Sequence, residues 1–305
     1  MLRVGGTVSA GVPLSHAAPS VTSPFGSASY VEGDRIRALE VGDAAVPPTE
    51  LAFLDGIQRY AVEGRIGLVP VVRGYVAAAV LRRVRETLQA VESRSEEFVL
   101  APFERLTSQQ RAELEGVGLP LYDCPAAERS HPILDVRLAA KEVETKREVL
   151  ELEIARRYLE AEPAGWLVVD GALTALSEVL EMSPKVLGLI KSHETQFLDG
   201  RDLEVALTLP AAHRTSVFAR AVGEHGRVYT WYLRLWPWEE HDLLYGLVRV
   251  ERAPTDATVD EATAVSRWLL AERAPLAARD GRWDRLIYPI QQVETYLRAQ
   301  AGGWW

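Results

Sequence analysis

The stretch Gly165-Trp-Leu-Val-Val-Asp-Gly-Ala-Leu173 decides the fold of this chain. Four apolar residues, two of them β-branched, run directly into Asp170, which is typical of a buried central strand that ends in a carboxylate. The same pattern occurs earlier as Leu51-Ala-Phe-Leu-Asp-Gly-Ile57, so Asp55 and Asp170 lie 115 positions apart, each after an apolar strand. Two such strand ends predict a pair of carboxylates, although Asp-Gly after a strand is also typical of a turn.

The composition is that of an ordinary globular chain. With 305 residues, 48% of them hydrophobic, the chain can bury a sizeable core. The net charge of -9 excludes a surface that binds nucleic acid indiscriminately, so any such site must be a local basic groove. Cys124 is the single cysteine, which predicts a cytoplasmic location without an intrachain disulfide. No apolar run reaches the roughly 18 to 20 residues of a membrane span, so we expect no membrane partner.

The chain is predicted to divide near residue 45. Residues 1–45 begin with a stretch rich in Gly, Ser, Ala and Pro that lacks the apolar core of a secretory signal, and we expect an N-terminal arm or extension. Residues 46–305 are predicted to form one domain. Its strands are expected at 51–55, 57–67, 69–84, 96–101, 119–124, 166–170, 186–190, 228–235 and 244–251. Helices are expected at 108–116, 134–160 and 259–301, with a helix or loop around 204–212 and a break at Tyr288-Pro289.

The order of these elements predicts the fold class. Strands, a long helix, two buried strands and a helical end are typical of an α/β protein with mixed strand directions. In the long helix, Val143, Leu150, Ile154 and Tyr158 recur at spacings of seven and four, which places a single apolar stripe against the sheet. We therefore expect an RNase H-like mixed sheet flanked by helices.

Asp55 and Asp170 would repel each other at one sheet edge unless a cation lies between them. Carboxylate oxygens are the ligands that Mg²⁺ and Mn²⁺ prefer, and ligands bind at the carboxyl ends of strands in open α/β sheets. Glu151 borders the apolar stripe of the long helix and is the candidate third acid, with a solvated helix face as the alternative. Three carboxylates around one or two metal ions suit the hydrolysis of phosphodiesters.

Five segments carry a further signal in their order and spacing. They are Phe53-Leu-Asp-Gly-Ile-Gln-Arg59, Trp166-Leu-Val-Val-Asp-Gly-Ala-Leu173, Gly188-Leu-Ile-Lys-Ser-His193, His213-Arg-Thr-Ser-Val-Phe218 and Leu286-Ile-Tyr-Pro-Ile-Gln-Gln-Val-Glu294. Together they resemble the motifs of the NurA family of nucleases, over residues 51 to about 298. The resemblance implies an RNase H-like nuclease domain over 46–305, Mn²⁺-dependent (or Mg²⁺-dependent) cutting of single-stranded DNA as an endonuclease and 5′-3′ exonuclease, a homodimer, and a HerA-type hexameric ATPase as partner.

The resemblance also assigns metal binding to Asp55, Glu151 and Asp170. Two departures stand out, because Ile57 and Ala172 follow the two Asp-Gly pairs where many family members have Ser. In addition, the family often has a His in the C-terminal motif, where this chain offers Glu294 or Tyr296. We expect Glu294 to assist catalysis there, because a carboxylate can also serve as a metal ligand.

Polar side chains in these motifs are candidates for holding the substrate. They are Arg59, Lys191, His193, Arg214, Thr215 and Tyr288. Lys191 could hold the scissile phosphate in a catalytic role, or simply cap its strand. His193 could shuttle a proton or be a polar surface residue. Arg214 could grip a backbone phosphate with Thr215, or form an ion pair with an acid.

Aromatic and basic residues near the C-terminal end have two interpretations. A basic and aromatic run could line a DNA path by charge and stacking, or form a solvated helix with a buried Trp. It consists of Arg279, Arg282, Trp283 and Arg285. Trp304 and Trp305 could dock on a partner or on a second subunit.

Three functional hypotheses follow. The leading one is a metal-dependent DNA nuclease that works with an ATPase in DNA end processing or phage defence. The second is a catalytically silent protein that keeps the fold only to dock on an ATPase ring, which the missing Ser and His residues motivate. The third is an RNase H-like enzyme that acts on RNA or on a branched junction.

Overall fold

The computed structural model describes residues 25–85, 87–162, 164–173, 177–222, 226–273 and 287–304. Its strands are β1 (Ala28–Tyr30), β2 (Ala38–Glu40), β3 (Leu51–Ile66), β4 (Val69–Val84), β5 (Thr87–Ala101), β6 (Leu121–Asp123), β7 (Trp166–Asp170), β8 (Val186–Ile190), β9 (His213–Thr215), β10 (Phe218–Val222), β11 (Gly226–Arg234) and β12 (Leu247–Arg252). Its helices are α1 (Ser108–Glu115), α2 (Pro132–Ala161), α3 (Ser177–Met182), α4 (Gly200–Leu207), α5 (Asp256–Glu272) and α6 (Tyr288–Gln300).

In the described ranges, these strands form one mixed sheet in the order β1-β10-β11-β12-β8-β7-β3-β4-β5-β6, and β9 pairs with β11 and β2 beside it. The central strands β3, β7 and β8 are parallel. On one side the long strands β3, β4 and β5 form an antiparallel meander, and on the other side β8, β12, β11 and β10 are antiparallel. The prediction of a mixed α/β sheet is confirmed.

Helices cover both faces of the sheet. Helix α2 begins with Pro132 in its first turn, where an amide has no helical partner, and the His131 side chain accepts a hydrogen bond from the Leu134 amide at 3.3 Å. The apolar stripe predicted for this helix is buried against one face of the sheet. Helices α5 and α6 pack on the other face. The sheet therefore lies between two helical layers, as predicted.

The prediction that a strand ends at Asp55 is wrong. Strand β3 continues through Asp55 and Gly56 to Ile66, and its register with β4 runs from Ala52 to Ile66 with a bulge after Val62. An Asp-Gly pair turns the chain only where no neighbouring strand holds it, and here β4 holds both residues in the ladder. Residues 57–66 are thus the second half of β3, and the antiparallel partner of the whole strand is β4.

Part of the predicted N-terminal arm belongs to the sheet. Strand β1 pairs with β10, and strand β2 pairs with β9. Between them, Glu32 forms an ion pair with the buried Arg214 on β9. Residues 28–40 therefore add two strands to the sheet, whereas the division near residue 45 stays a prediction and residues 1–24 lie outside the described ranges.

The C-terminal region is helical on both sides of residues 274–286, which lie outside the described ranges. Helix α5 ends at Glu272, and α6 begins at Tyr288 with Pro289 in its first turn, so the proline starts a helix. Trp304 stacks on Tyr75 with ring centroids 5.8 Å apart, and the Arg73 guanidinium lies 5.0 Å from its ring. Trp304 thus packs on β4 of its own chain. The predicted basic run at 279–285 and Trp305 lie outside the described residues.

No helix in the described ranges has the length and apolar character that crossing a membrane requires. The helix with the length of a span, α2, carries charged residues along its exposed face and buries a single stripe. Its length serves to cover the long strands β3, β4 and β5.

Candidate functional site

Asp55 and Asp170 occupy neighbouring positions in the sheet. The register of the parallel strands β3 and β7 ends with Leu54 beside Val169, so the next residue of each strand is the aspartate. Adjacent strands lie about 4.8 Å apart, which puts both aspartates at the same point of the sheet. Because β7 ends here while β3 continues, the sheet opens at the carboxyl end of β7, where ligands bind in α/β folds. The structure therefore brings the two predicted acids together.

Glu151 approaches β3 from helix α2, on the sheet face opposite the Asp55 side chain. Gly56 follows Asp55 in β3, and a Cβ at residue 56 would overlap the Glu151 carboxyl group. The missing side chain of Gly56 leaves the space in which this carboxyl group lies. Glu151 is 6% exposed, so its predicted alternative, a solvated helix face, does not describe its position.

Two cations compensate the acids in the site. Lys191 follows β8, and its Nζ lies 2.8 Å from Oδ2 of Asp170. Arg147, one helical turn before Glu151 on α2, forms an ion pair with it and donates through Nε to Oε1 of Gln58 at 3.0 Å. Each of two acids thus has a basic partner, while Asp55 accepts a hydrogen bond from the Gly56 amide at 2.8 Å.

Burial raises the pKa values of two acids in the site. Burial is the main cause that raises the pKa of Asp55 well above its usual value; Asp170, Glu151 and Glu294 add to the increase by repulsion, and Lys191 opposes it. Burial also raises the pKa of Glu151 to about 7, against the attraction of Arg147. Negative charge is therefore in excess around Asp55.

A cleft of about 500 Å³ opens over Asp55 and Asp170, and Glu151 and Glu294 are not part of its lining. Acids, cations and backbone of the loops after β7 and β8 line it, namely Asp55, Gly56, Arg147, Asp170, Gly171, Ala172, Ile190, Lys191, Ser192, Glu194, Thr195 and Arg249. A second cavity, of about 400 Å³, lies on the outer surface of α2 and is lined by exposed residues such as Val149 and Arg156. Of the charged residues described above, Asp55, Asp170, Lys191 and Arg147 line the first cleft.

Helix α6 brings the C-terminal motif to the same region. Glu294 raises the pKa of Asp55 by repulsion, which places its charge near the site, and it forms an ion pair with Arg298 one helical turn away. Tyr296 packs partly buried against the core beneath α5 and α6. Tyr288, the first residue of the helix, is 39% exposed. Of the two predicted replacements for the family His, Glu294 is the one that acts electrostatically on the acids.

Arg214 and Thr215 lie away from the cleft, in the core. The Arg214 guanidinium binds both oxygens of Glu32, at 2.7 and 2.9 Å, and its Nε donates to Oγ1 of Thr263. The hydroxyl of the fully buried Thr215 accepts a hydrogen bond from the Tyr232 amide at 3.0 Å. The predicted ion-pair alternative describes Arg214, because a group held by Glu32 cannot also reach a phosphate in the cleft.

His193 and Arg59 flank the site without lining the described cleft. His193 Nε2 lies 3.0 Å from the carbonyl oxygen of Leu247, and its half-buried ring packs against Tyr232. Arg59 is half-buried on β3, four residues beyond Asp55 and beside Tyr75 of β4. Their predicted roles as substrate contacts stay predictions.

The donor set of the site suits a hard divalent cation. Among the described residues, no three acidic, His or Cys side chains lie close enough, as placed, to hold an ion. Two of the acids are ion-paired instead, Asp170 with Lys191 and Glu151 with Arg147. The carboxylate chemistry nevertheless fits Mg²⁺ or Mn²⁺, because a divalent cation would offset the repulsion between Asp55 and the neighbouring acids, which adds to the effect of burial on the pKa of Asp55.

Sequence reasoning missed several polar residues of the site, among them Arg147, Gln58 and Arg249. Arg147 donates hydrogen bonds to Glu151 and to Gln58. Arg249 lines the cleft from β12. A signal for Arg147 exists, because it lies four residues before Glu151, a spacing at which opposite charges meet on a helix. A signal for Arg249 is its place in the alternating segment Leu247–Arg252, where charged residues interrupt a strand with buried neighbours. Gln58 has no such signal.

Comparison with known proteins supplies a similarity in structure alone. No protein-family model matches the chain, and no curated protein matches it in sequence. The crystal structure of the NurA nuclease from Sulfolobus solfataricus matches with a TM-score of 0.52 and 11% sequence identity, covering 85% of this chain and 81% of that chain. Over most of its length, the chain therefore has a fold similar to that of a NurA nuclease, as the five segments imply.

Proposed function

We propose that this protein is a metal-dependent nuclease that hydrolyses phosphodiester bonds of DNA. The observation that carries the proposal is the adjacency of Asp55 and Asp170 at the point where β7 ends, with Glu151 and Glu294 near enough to repel Asp55. The similarity of the fold to a NurA nuclease supports it. Buried like charges are costly, and such clusters are typical of functional sites.

Asp55, Glu151 and Asp170 are the residues that would hold Mn²⁺ or Mg²⁺. When bound, the ion would supply charge stabilisation at phosphorus and a more acidic water. Gly56 supports this set by leaving the space in which the Glu151 carboxyl group lies. Arg147 orients that carboxyl group through its ion pair.

Lys191 and Glu294 are the proposed assisting residues. Lys191 lies beside Asp170 on the cleft wall, where its ammonium group can hold a nonbridging phosphate oxygen or the leaving oxygen. Glu294 approaches the acids from helix α6 and would act as an additional ligand or as a base. The Lys191 ammonium group and the Glu294 carboxylate would both lie where charge develops during hydrolysis.

We further propose a homodimer that works in the cytoplasm with a HerA-type hexameric ATPase, and single-stranded DNA endonuclease and 5′-3′ exonuclease activity. These proposals rest on the resemblance of the five motifs and on the similarity of the fold. Light scattering of the purified protein tests the dimer. Copurification with a HerA-type ATPase tests the partner, and end-labelled single-stranded DNA tests the polarity.

The central experiment compares Asp170→Asn with Asp123→Asn. Asp123 also ends a strand, β6, but is exposed and accepts a hydrogen bond from the Phe103 amide, which Asn can also accept. We expect Asp170→Asn to abolish Mn²⁺-dependent degradation of single-stranded DNA with unchanged circular dichroism, while Asp123→Asn keeps wild-type activity. Full activity in Asp170→Asn would refute the proposal.

A second candidate function is that of a catalytically silent protein that docks on an ATPase ring. The ion pairs of Asp170 with Lys191 and of Glu151 with Arg147 favour it, because they satisfy two of the acids without a metal. Calorimetric titration with Mn²⁺ separates the two functions: binding in wild type that Asp170→Asn removes supports the nuclease, and no binding at millimolar Mn²⁺ supports the silent protein. A panel of DNA, RNA and branched junctions tests the third hypothesis.

A further inference from the structure

Strand β12 carries charged residues although every position in it is buried. Arg249, Glu251 and Arg252 interrupt its apolar pattern, and Arg249 is 6% exposed. Removing a charge from water costs several kcal/mol unless a partner compensates it. The partners of these side chains therefore show how the buried charges are compensated.

One carboxylate compensates two guanidinium groups in this strand. Arg220 of β10 binds both oxygens of Glu251, with Nε 2.5 Å from Oε1 and Nη2 2.9 Å from Oε2. Arg249 shares one of these oxygens, with Nη1 2.6 Å from Oε1. Two positive charges against one negative charge leave one positive charge in excess within this cluster, which we call the Arg220–Glu251–Arg249 cluster.

The excess charge faces the cleft through Arg249. Arg249 is part of the cleft wall, as is Arg147 of α2. The ring of Phe197 lies over its guanidinium at 4.7 Å and over that of Arg220 at 5.5 Å. Phe197 and Glu251 thus hold Arg249 in place, and a guanidinium has five N–H donors, of which the bond to Glu251 uses one.

The same cluster holds the loop that follows Asp170. Oε2 of Glu251 accepts a hydrogen bond from the Leu173 amide at 3.0 Å. Gly188 of β8 lies beside Glu251 in the sheet, and a Cβ there would come within 2.6 Å of the Gly171 carbonyl oxygen. The loop therefore packs closely on β8, and Glu251 connects the position of Arg249 to that of Asp170.

We propose that Arg249 binds a backbone phosphate of single-stranded DNA next to the phosphate that is cleaved, and that Glu251 is a positioning residue for it. The proposal rests on the proposed nuclease function. In the sheet, Arg249 lies beside Ile190 and Asp170 beside Leu189, so two strand spacings, about 10 Å, separate their Cα atoms. Both residues line the same cleft, and guanidinium groups bind phosphate in bidentate fashion.

The test is equilibrium binding of a fluorescein-labelled oligothymidylate in EDTA, over a series of salt concentrations. We expect Arg249→Gln to weaken binding about tenfold and to lower the slope of log affinity against log salt by about one phosphate contact. Arg249→Lys keeps the charge balance with Glu251, so we expect it to fold and keep the slope. It should still bind several-fold more weakly, because an ammonium group cannot donate in bidentate fashion.

Arg252→Gln is the matched control. Arg252 is as buried and lies in the same strand, but its guanidinium contacts Glu261, the Pro184 carbonyl oxygen and the Trp166 ring. We expect this variant to lose stability and keep the salt slope. Wild-type affinity in both Arg249 variants, with Mn²⁺-dependent cleavage intact, would overturn the inference alone. A wild-type protein that binds no single-stranded DNA would overturn the proposed function as well.

Discussion

The carboxyl group of Glu151 lies in the space that a side chain at Gly56 would fill, so the helix acid and the strand are in contact at that glycine. The glycine after Asp55 is therefore required by packing, since β3 passes through it as an extended strand. In sequence Asp55-Gly56 is typical of a turn, but in the structure Gly56 leaves space beside the strand for the carboxyl group of Glu151.

Gly56→Ala tests this contact. The added methyl group must displace the Glu151 carboxyl group, and a displacement of about 1 Å at a reacting group can cost about 100-fold in rate. We expect such a loss of Mn²⁺-dependent DNA degradation, with about 1–3 kcal/mol of lost stability from overpacking.

Gly116→Ala is the control for this variant. Gly116 has a φ of -68°, and a Cβ there would lie 3.4 Å from the Glu113 carbonyl oxygen, far from the cleft. We expect full activity in this variant. Equal activity in Gly56→Ala and wild type would mean that the position of Glu151 is unimportant.

Arg214→Met distinguishes a structural role from a phosphate contact. The variant leaves Glu32 without the guanidinium that holds both of its oxygens, so we expect the free energy of unfolding to fall by about 3 kcal/mol. Affinity of the folded protein for single-stranded DNA should not change. Urea denaturation and fluorescence anisotropy measure the two quantities.

The double variant Glu32→Gln with Arg214→Met completes a thermodynamic cycle. Removing both partners should cost less than the sum of the single losses, because neither charge is left without its partner. A variant of Arg214 that weakens DNA binding at unchanged stability would restore the phosphate role.

Glu251→Gln gives a prediction for pH. Burial opposes ionisation of Glu251, but hydrogen bonds from Arg220 and the charge of Arg249 outweigh it and lower its pKa. The ionised carboxylate therefore stabilises the fold above about pH 4.5, its unfolded pKa, and this contribution is lost as the pH falls through the lower folded pKa.

The measurement is urea denaturation of wild type and Glu251→Gln at a series of pH values. At pH 7 we expect the variant to be about 3 kcal/mol less stable, since two buried guanidinium groups lose their carboxylate. The difference should shrink below pH 4.5, as the wild-type carboxyl group protonates. A difference that is independent of pH would show that the charge of Glu251 contributes nothing.

Cys124 is predicted to be unreactive in the folded protein. Burial raises the pKa of its thiol to about 12, so the nucleophilic thiolate is scarce at pH 8. We expect slow alkylation by iodoacetamide in native buffer and complete alkylation in urea, both measured by mass spectrometry. Rapid labelling of the native protein would show that the pocket around Cys124 opens.

Local pattern predicted the central elements because each carries its own signal. The apolar run of β7 and the seven- and four-residue spacing on α2 depend on no distant partner, and both elements lie where the sequence places them. The meeting of Asp55 with Asp170 was also predictable, since each follows an apolar run of sequence. Residues 51–55 and 57–66 could not be joined from sequence, because only pairing with β4 keeps Asp55-Gly56 extended.

Features that depend on distant partners escaped sequence reasoning. Strands β1 and β2 are three residues long and exist through pairing with β10 and β9. Arg214 was a plausible phosphate ligand until the fold placed it against Glu32, 182 positions away. The opposite holds for Arg249, which sequence reasoning did not assign to the site. In sequence it is only a charged residue within an apolar strand, and the fold places it on the cleft wall.

The parallel pairing of β3 with β7 also sets when the site can form during folding. The two aspartates meet only after a loop of more than one hundred residues has closed, and contacts so distant in sequence slow folding. A partly folded chain can contain the β3–β4 hairpin and helix α2 but not the cleft. Recovery of the proposed nuclease activity after dilution from denaturant should therefore lag behind the recovery of helical circular dichroism, because the cleft forms after the helices.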